Sequence, residues 1–173
     1  MMTGMDITEV ILADHEQQRR AFAQLDDIDR GDVASLGALW TRLSTFLEVH
    51  AQAEEELFYP ELLALGKRLH DDSEVEETED AIGDHNDIRD GILEAAKHQP
   101  GSDGWWAGVQ AAREANDEHM GEEEHEGLAD FRRHVDLDTR HRIAVEFVVY
   151  EAEHVSGVPV VDKDPQEYIR QNS

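Results

Sequence analysis

The stretch Leu43-Ser44-Thr45-Phe46-Leu47-Glu48-Val49-His50-Ala51-Gln52-Ala53-Glu54-Glu55-Glu56-Leu57-Phe58-Tyr59-Pro60 decides the fold. Leu36, Leu39, Leu43, Phe46, Leu47 and Leu57 recur at helical spacing, so they form one apolar face of an amphipathic helix. His50 lies seven residues after Leu43 and seven before Leu57, on that same face. Glu54 follows four residues after His50, one turn further along the stripe. Pro60 predicts a kink or an end to this helix.

The same period extends in both directions. Upstream, Ile7, Ile11, Phe22 and Leu25 share one stripe, and Asp26 to Asp32, with Gly31, reads as a turn. Downstream, Gly66 to Asp72 reads as a loop. Ser73-Glu74-Val75-Glu76 has a capping-box pattern and opens a third helix bearing Val75, Ile82, Ile88 and Ile92. Gln99-Pro100-Gly101-Ser102 breaks it. Asp103 then caps a fourth helix with Trp105, Val109 and Ala112, running to about Arg133. Asp138-Thr139 can cap a shorter fifth helix carrying Ile143, Phe147 and Tyr150. Residues 155–173 contain Gly157, Pro159 and Pro165 and read as an extended tail. No β-hairpin signal appears. The expected fold is all-α: an up-down four-helix bundle with an additional short C-terminal helix and an extended tail. The bundle is expected to occupy residues 1–154 and the tail 155–173.

Charge excludes several functions. The 173 residues carry 41 acidic and 15 basic side chains, a formal net charge of −26. Such a surface repels phosphate backbones and anionic membranes, so neither a nucleic acid nor a membrane is an expected partner. No apolar run approaches the roughly 20 residues that span a bilayer. The opening MMTGMDITEV has neither the basic segment nor the apolar core of a signal peptide, and the expected compartment is the cytoplasm. Only Lys67, Lys97 and Lys163 are lysines, and excess acid with little lysine is the composition of a protein kept soluble in high salt. With no cysteine, any metal must use nitrogen and oxygen ligands.

Four of the ten histidines stand on apolar stripes: His15 four residues after Ile11, His50, His85 three after Ile82, and His119 seven after Ala112. Each long helix therefore points one histidine inward. Their separations of 35, 35 and 34 residues put them at similar height in an up-down bundle. Four unpaired imidazoles at one level would be costly to bury, and a metal is the ordinary explanation. Glu54 and Glu123 each follow a stripe histidine by four residues. Chance predicts a little over one such pair here and three occur, His70 with Glu74 being off the stripes. Four imidazoles and two carboxylates exceed one tetrahedral ion and suit two ions bridged by the two glutamates. A rival is the ferritin-like di-iron pattern Glu-x-x-His, matched by Glu122 with His125 and Glu151 with His154. His125 lies about 240° around the helix from His119, facing away from that interior.

The order His15, His50-x3-Glu54, His85, His119-x3-Glu123 resembles the hemerythrin-like, HHE cation-binding domain over about residues 6–133. Asp14-His15-Glu16, Asp84-His85-Asn86, the run from His50 to Pro60 and His119-MGEEEHEGL are similar to its motifs. The resemblance implies that His15, His50, Glu54, His85, His119 and Glu123 ligate a non-haem, oxo- or hydroxo-bridged pair of iron ions, Glu54 and Glu123 bridging. Zinc is the alternative metal, since imidazole and carboxylate also suit it. The family's oxygen carriers have a second histidine on helix three, where this chain has Arg89 and Ala81 on either side of His85, and Asp rather than Glu on helix four. A water, a second carboxylate or a tyrosine is then expected at the missing position.

Phe22, Phe46, Leu47, Ile82 and Ile88 are expected pocket walls. The function implied is binding or sensing of O2, peroxide or NO, or handling of iron. The alternatives are an enzyme that decomposes peroxide or reduces NO at the same site, and a ferritin-like or metal-free structural bundle.

Overall fold

The computed structural model describes residues 4–173. The first three residues of the expected 1–154 unit, and of the stretch read against a signal peptide, lie outside the described residues. Helices α1 (Ile7–Asp26), α2 (Val33–Ala53), α3 (Tyr59–Leu69), α4 (Ser73–Ala95), α5 (Asp103–His125), α6 (Gly127–His134), α7 (Leu137–Glu153) and α8 (Pro165–Asn172) follow in order, with a π-turn, Glu54–Phe58, joining α2 to α3. No strand occurs among the described residues. None of the described helices is long and apolar enough to cross a membrane.

Acidic residues start most of the helices, which places part of the −26 charge. Asp6 accepts from Thr8 N at 2.9 Å, Asp32 from Ser35 N at 3.1 Å and Asp164 from Glu167 N at 2.7 Å. Each satisfies an orphan amide and complements the helix dipole. Several expected starts shift by a residue or two. Ser102, not Asp103, caps α5, and Asp136 caps α7 through Thr139 N at 2.9 Å. Ser73 is the first residue of α4, its amide taken by Asp71, so the capping box does not form.

Three larger departures matter for the site. Pro60 does not end the second helix. The π-turn shifts the hydrogen-bond register just before it, so Pro60 falls in the first turn of α3, where its missing amide is harmless. The helix runs on to Leu69 and stops at His70, a left-handed residue with φ 55°, so most of the expected Gly66–Asp72 loop is helix. The fourth helix breaks at Glu126 into α5 and α6 rather than continuing to Arg133. The tail lacks helix and turn only over residues 157–164, then forms α8, which packs on α4.

Helix α1 packs on α2 and α5, α3 on α4, and α4 closely on α5. Glycines permit that last approach: a Cβ on Gly108 would stand 2.4 Å from Ala95 N, and one on Gly91 2.6 Å from Ala112 N. The core forms two apolar clusters. One gathers Ile7, Phe58, Leu62, Ile82, Phe131 and Phe147; the other Phe22, Trp40, Leu47, Ile88, Trp105 and Val109. The expected wall residues Phe22, Leu47, Ile82 and Ile88 divide between them. A belt of buried polar side chains also lies inside the bundle, including His15, Gln18, His50, Glu54, His85, Asn116, His119 and Glu123.

Candidate metal centre

All six expected residues meet in that belt. His15, His50, His85, His119, Glu54 and Glu123 are each at most 7% exposed. Glu54 sits between the four imidazoles. Its Oε1 faces His50 Nε2 at 2.7 Å and His15 Nε2 at 3.8 Å; its Oε2 faces His85 Nε2 at 3.1 Å and His119 Nε2 at 3.4 Å. Glu123 Oε2 faces His15 Nε2 at 3.2 Å and His119 Nε2 at 3.7 Å. Both carboxylates therefore link a His15/His50 half to a His85/His119 half.

Behind each imidazole stands another carboxylate. His15 Nδ1 lies 2.9 Å from Glu124 Oε1, His50 Nδ1 3.0 Å from Asp14 Oδ2, and His85 Nδ1 2.9 Å from Glu55 Oε1. His119 Nδ1 has Asp84 Oδ2 at 3.9 Å. A carboxylate at Nδ1 holds the proton there and turns the Nε2 lone pair inward, the arrangement that orients metal-binding histidines. These partners cross between helices: Asp14 precedes His15 but serves His50, and Asp84 precedes His85 but faces His119.

The inward atoms fit a cation. His15 Nε2, His50 Nε2, Glu54 Oε1 and Glu123 Oε2 are buried without a hydrogen-bond partner. His85 Nε2 and His119 Nε2 lie 3.2 Å apart, so a proton or an ion must stand between the two nitrogens. Buried lone pairs and carboxylates at these distances need protons or metal ions between them. Ligand atoms of His15, Glu54, His119 and Glu123 all lie within 4.8 Å of one another. Without an ion, the site draws protons instead. Burial opposes a charged His15, yet contacts with Glu123, Glu124 and Glu54 lift it to about 10. Burial likewise opposes a charged His50, and the Glu54 charge with Asp14 raises it well above the usual imidazole value. Burial pushes Glu54 up, but His50, His119 and His15 hold it well below the usual carboxylate range.

Tyr59 is the site residue that helical spacing does not reveal. Its buried hydroxyl donates to Glu54 Oε2 and Glu123 Oε1, both at 3.1 Å. Burial and the charges of Glu123 and Glu54 hold the phenol well above its ordinary value, so it keeps its proton. Five residues along an α-helix turn the chain by about 500°, which would put Tyr59 about 140° away from Glu54. The π-turn, with its longer period, brings the two to one face. Pro60 was the only sequence signal of that turn. Tyr59, Ala81, His119 and Glu123 line a cavity of about 20 Å³, room for one water-sized molecule. The small Ala81, four residues before His85, leaves that room. Glu77 and Asp84 form part of the outer wall, and burial pushes them up to about 9 and about 7.

The rival pair does not form a second centre. His125 is exposed and bonds Gly121 O, and His154 stacks on Tyr150 at 4.0 Å. Glu151 instead approaches His50 Nδ1 at 3.8 Å. Among protein-family models, the hemerythrin HHE cation binding domain matches residues 6–131. The chain belongs to the hemerythrin HHE family. Comparison with curated proteins and with solved structures gives no match. HHE domains bind metal cations, and the buried His/Glu cluster of this chain lies wholly within the matched residues. Glu151, beside His50, and Lys163 and Tyr168, both on Glu55, lie beyond them in this hemerythrin-like chain.

Proposed function

We propose that the protein is a non-haem di-iron protein that binds a small oxygen or nitrogen species (O2, peroxide or NO) in the cavity beside Tyr59. Four buried imidazoles, three of them hydrogen-bonded to a carboxylate at Nδ1 and each turning Nε2 toward Glu54 or Glu123, carry this reading. His15 and His50 would hold one ion, His85 and His119 the other, with Glu54 and Glu123 spanning both. A bound iron pair would supply redox-active chemistry toward a small ligand. The protein supplies the rest. The two apolar clusters exclude water, the outer carboxylates orient the imidazoles, and Tyr59 holds a proton between Glu54 and Glu123 at the cavity wall. The composition favours a cytoplasmic location.

The test is metal analysis with an optical spectrum. About two irons per chain, with charge-transfer bands lost in Glu54→Ala, support the reading. Protein from iron-replete cells that carries no metal sinks it, and zinc alone moves the assignment to the other metal. Peroxide decomposition is the second reading, favoured by a proton-bearing phenol beside a cavity of single-molecule size. Iron-loaded protein consuming peroxide no faster than free iron excludes it.

A further inference from the structure

The C-terminal segment reaches the candidate centre from outside the family match. Asn86 grips the Lys163 backbone in both directions: its Nδ2 donates to Lys163 O at 2.6 Å, and Lys163 N donates to its Oδ1 at 2.9 Å. That grip aims the Lys163 ammonium at Glu55 Oε2 and at Gln52 Oε1, the latter at 2.8 Å. Arg89 donates to Glu55 Oε1 at 2.8 Å, the oxygen that also takes the His85 Nδ1 proton. Glu55 is 2% exposed, so its carboxylate is held between two cations and one imidazole with little freedom to rotate. Further along the segment, Asp164 caps α8, and α8 presents Tyr168. The buried Tyr168 hydroxyl donates to the backbone carbonyl of Glu55, inside the π-turn that also carries Glu54 and leads into Tyr59.

We propose that residues 162–172 are a strap that positions the metal ligands, with Lys163 and Tyr168 as positioning residues acting through Glu55 on His85 and on the π-turn. The strap thus makes a region outside the matched domain a working part of the cation site. This rests on the di-iron reading above. Residues behind a ligand typically change metal affinity about 10–100-fold when removed. Lys163 acts through Glu55 rather than on the imidazole itself, so the low end applies.

The experiment is anaerobic titration of the full-length chain with Fe(II) against a chromogenic chelator. Lys163→Met is expected to weaken Fe(II) binding about tenfold, and Lys163→Arg to restore it. Tyr168→Phe, isosteric and charge-neutral, is expected to weaken binding in the same direction. The sign is diagnostic. Removing a positive charge near the centre would by itself tighten cation binding, so weakening marks loss of position. Equal or tighter binding in Lys163→Met, or unchanged binding in Tyr168→Phe, overturns the strap while wild type still takes up about two ions. Wild type that binds no Fe(II) overturns the strap together with the reading beneath it.

Discussion

Stripping the metal should make this protein unusually sensitive to alkali. In the metal-free chain, His15 is raised from an ordinary 6.5 to about 10 by its carboxylate neighbours, against burial. A raised imidazole contributes stability that is complete below its unfolded value and is lost as pH climbs through the folded one. Glu77 acts in the same direction: its native carboxyl is raised to about 9, so the folded state holds a proton that the unfolded chain releases. His15 therefore lowers stability from about 6.5 to about 10 and Glu77 from 4.5 to about 9, so the two losses overlap above 6.5. For His15 alone, linkage gives a loss on the order of 3 kcal/mol between about pH 6 and about pH 9. That is a large share of the 5–15 kcal/mol or so that holds a typical domain together. Denaturant unfolding of chelator-stripped and metal-loaded protein, followed by circular dichroism at several pH values, measures it. The stripped protein should lose stability steadily, and the loaded protein should lose clearly less, because the ion replaces the protons on the imidazoles and leaves only the Glu77 loss. A stripped protein that is flat or gains stability over that window would refute the account of the site as a carboxylate cage drawing protons.

Three further outcomes follow from the same geometry. Loading the metal-free protein at neutral pH should release about two protons per chain, from His15 and His50, visible as acidification of a weakly buffered solution; no acidification argues against protonated imidazoles there. Tyr59→Phe removes the hydroxyl shared by Glu54 Oε2 and Glu123 Oε1 and should cost the metal-free protein about 1–3 kcal/mol in denaturant unfolding; an unchanged midpoint argues against those bonds. Gly108→Ala drives a Cβ against the backbone of Ala95 and should destabilise by about 1–3 kcal/mol; an unshifted thermal midpoint would mean the two helices separate freely.

The helical pattern and the six inward residues were legible because both obey the 3.6-residue period. Ile11 to His15 and His50 to Glu54 repeat every four residues, and burial follows that repeat. What the period could not express was Tyr59 and Glu55, whose placement depends on a π-turn. Nor could it pair Asp14 with His50 or Asp84 with His119, since those partnerships cross between helices. The missing histidine has a similar explanation. Arg89, four residues after His85, reaches not toward the other imidazoles but to Glu55 and Glu48, and Ala81, four before, leaves the cavity beside Tyr59. The tail was the least legible part, because α8 has only one buried anchor, Tyr168, and no apolar stripe announces it.

The charges around the imidazoles bear on why the site is built this way. Seven carboxylates lie within 4 Å of the four imidazoles: Glu54, Glu123, Glu124, Asp14, Glu151, Glu55 and Asp84. Three cations touch that set, Arg19 on Glu124 and both Arg89 and Lys163 on Glu55. Seven against three leaves four negative charges when all are ionised. Burying that excess unmatched would be prohibitive, so protons on His15 and His50 offset part of it in the metal-free protein, and bound cations would offset it in the loaded one. The three cations are also unevenly placed. One half of the centre has Arg19 behind His15 and only acids behind His50, where burial lifts Glu151 to about 7 against the pull of His50. The other has two cations behind His85 and only Asp84 behind His119. The two halves would therefore present different fields to any cations they hold, and the half with the cavity is the one to whose charge Lys163 of the C-terminal segment contributes beside Arg89.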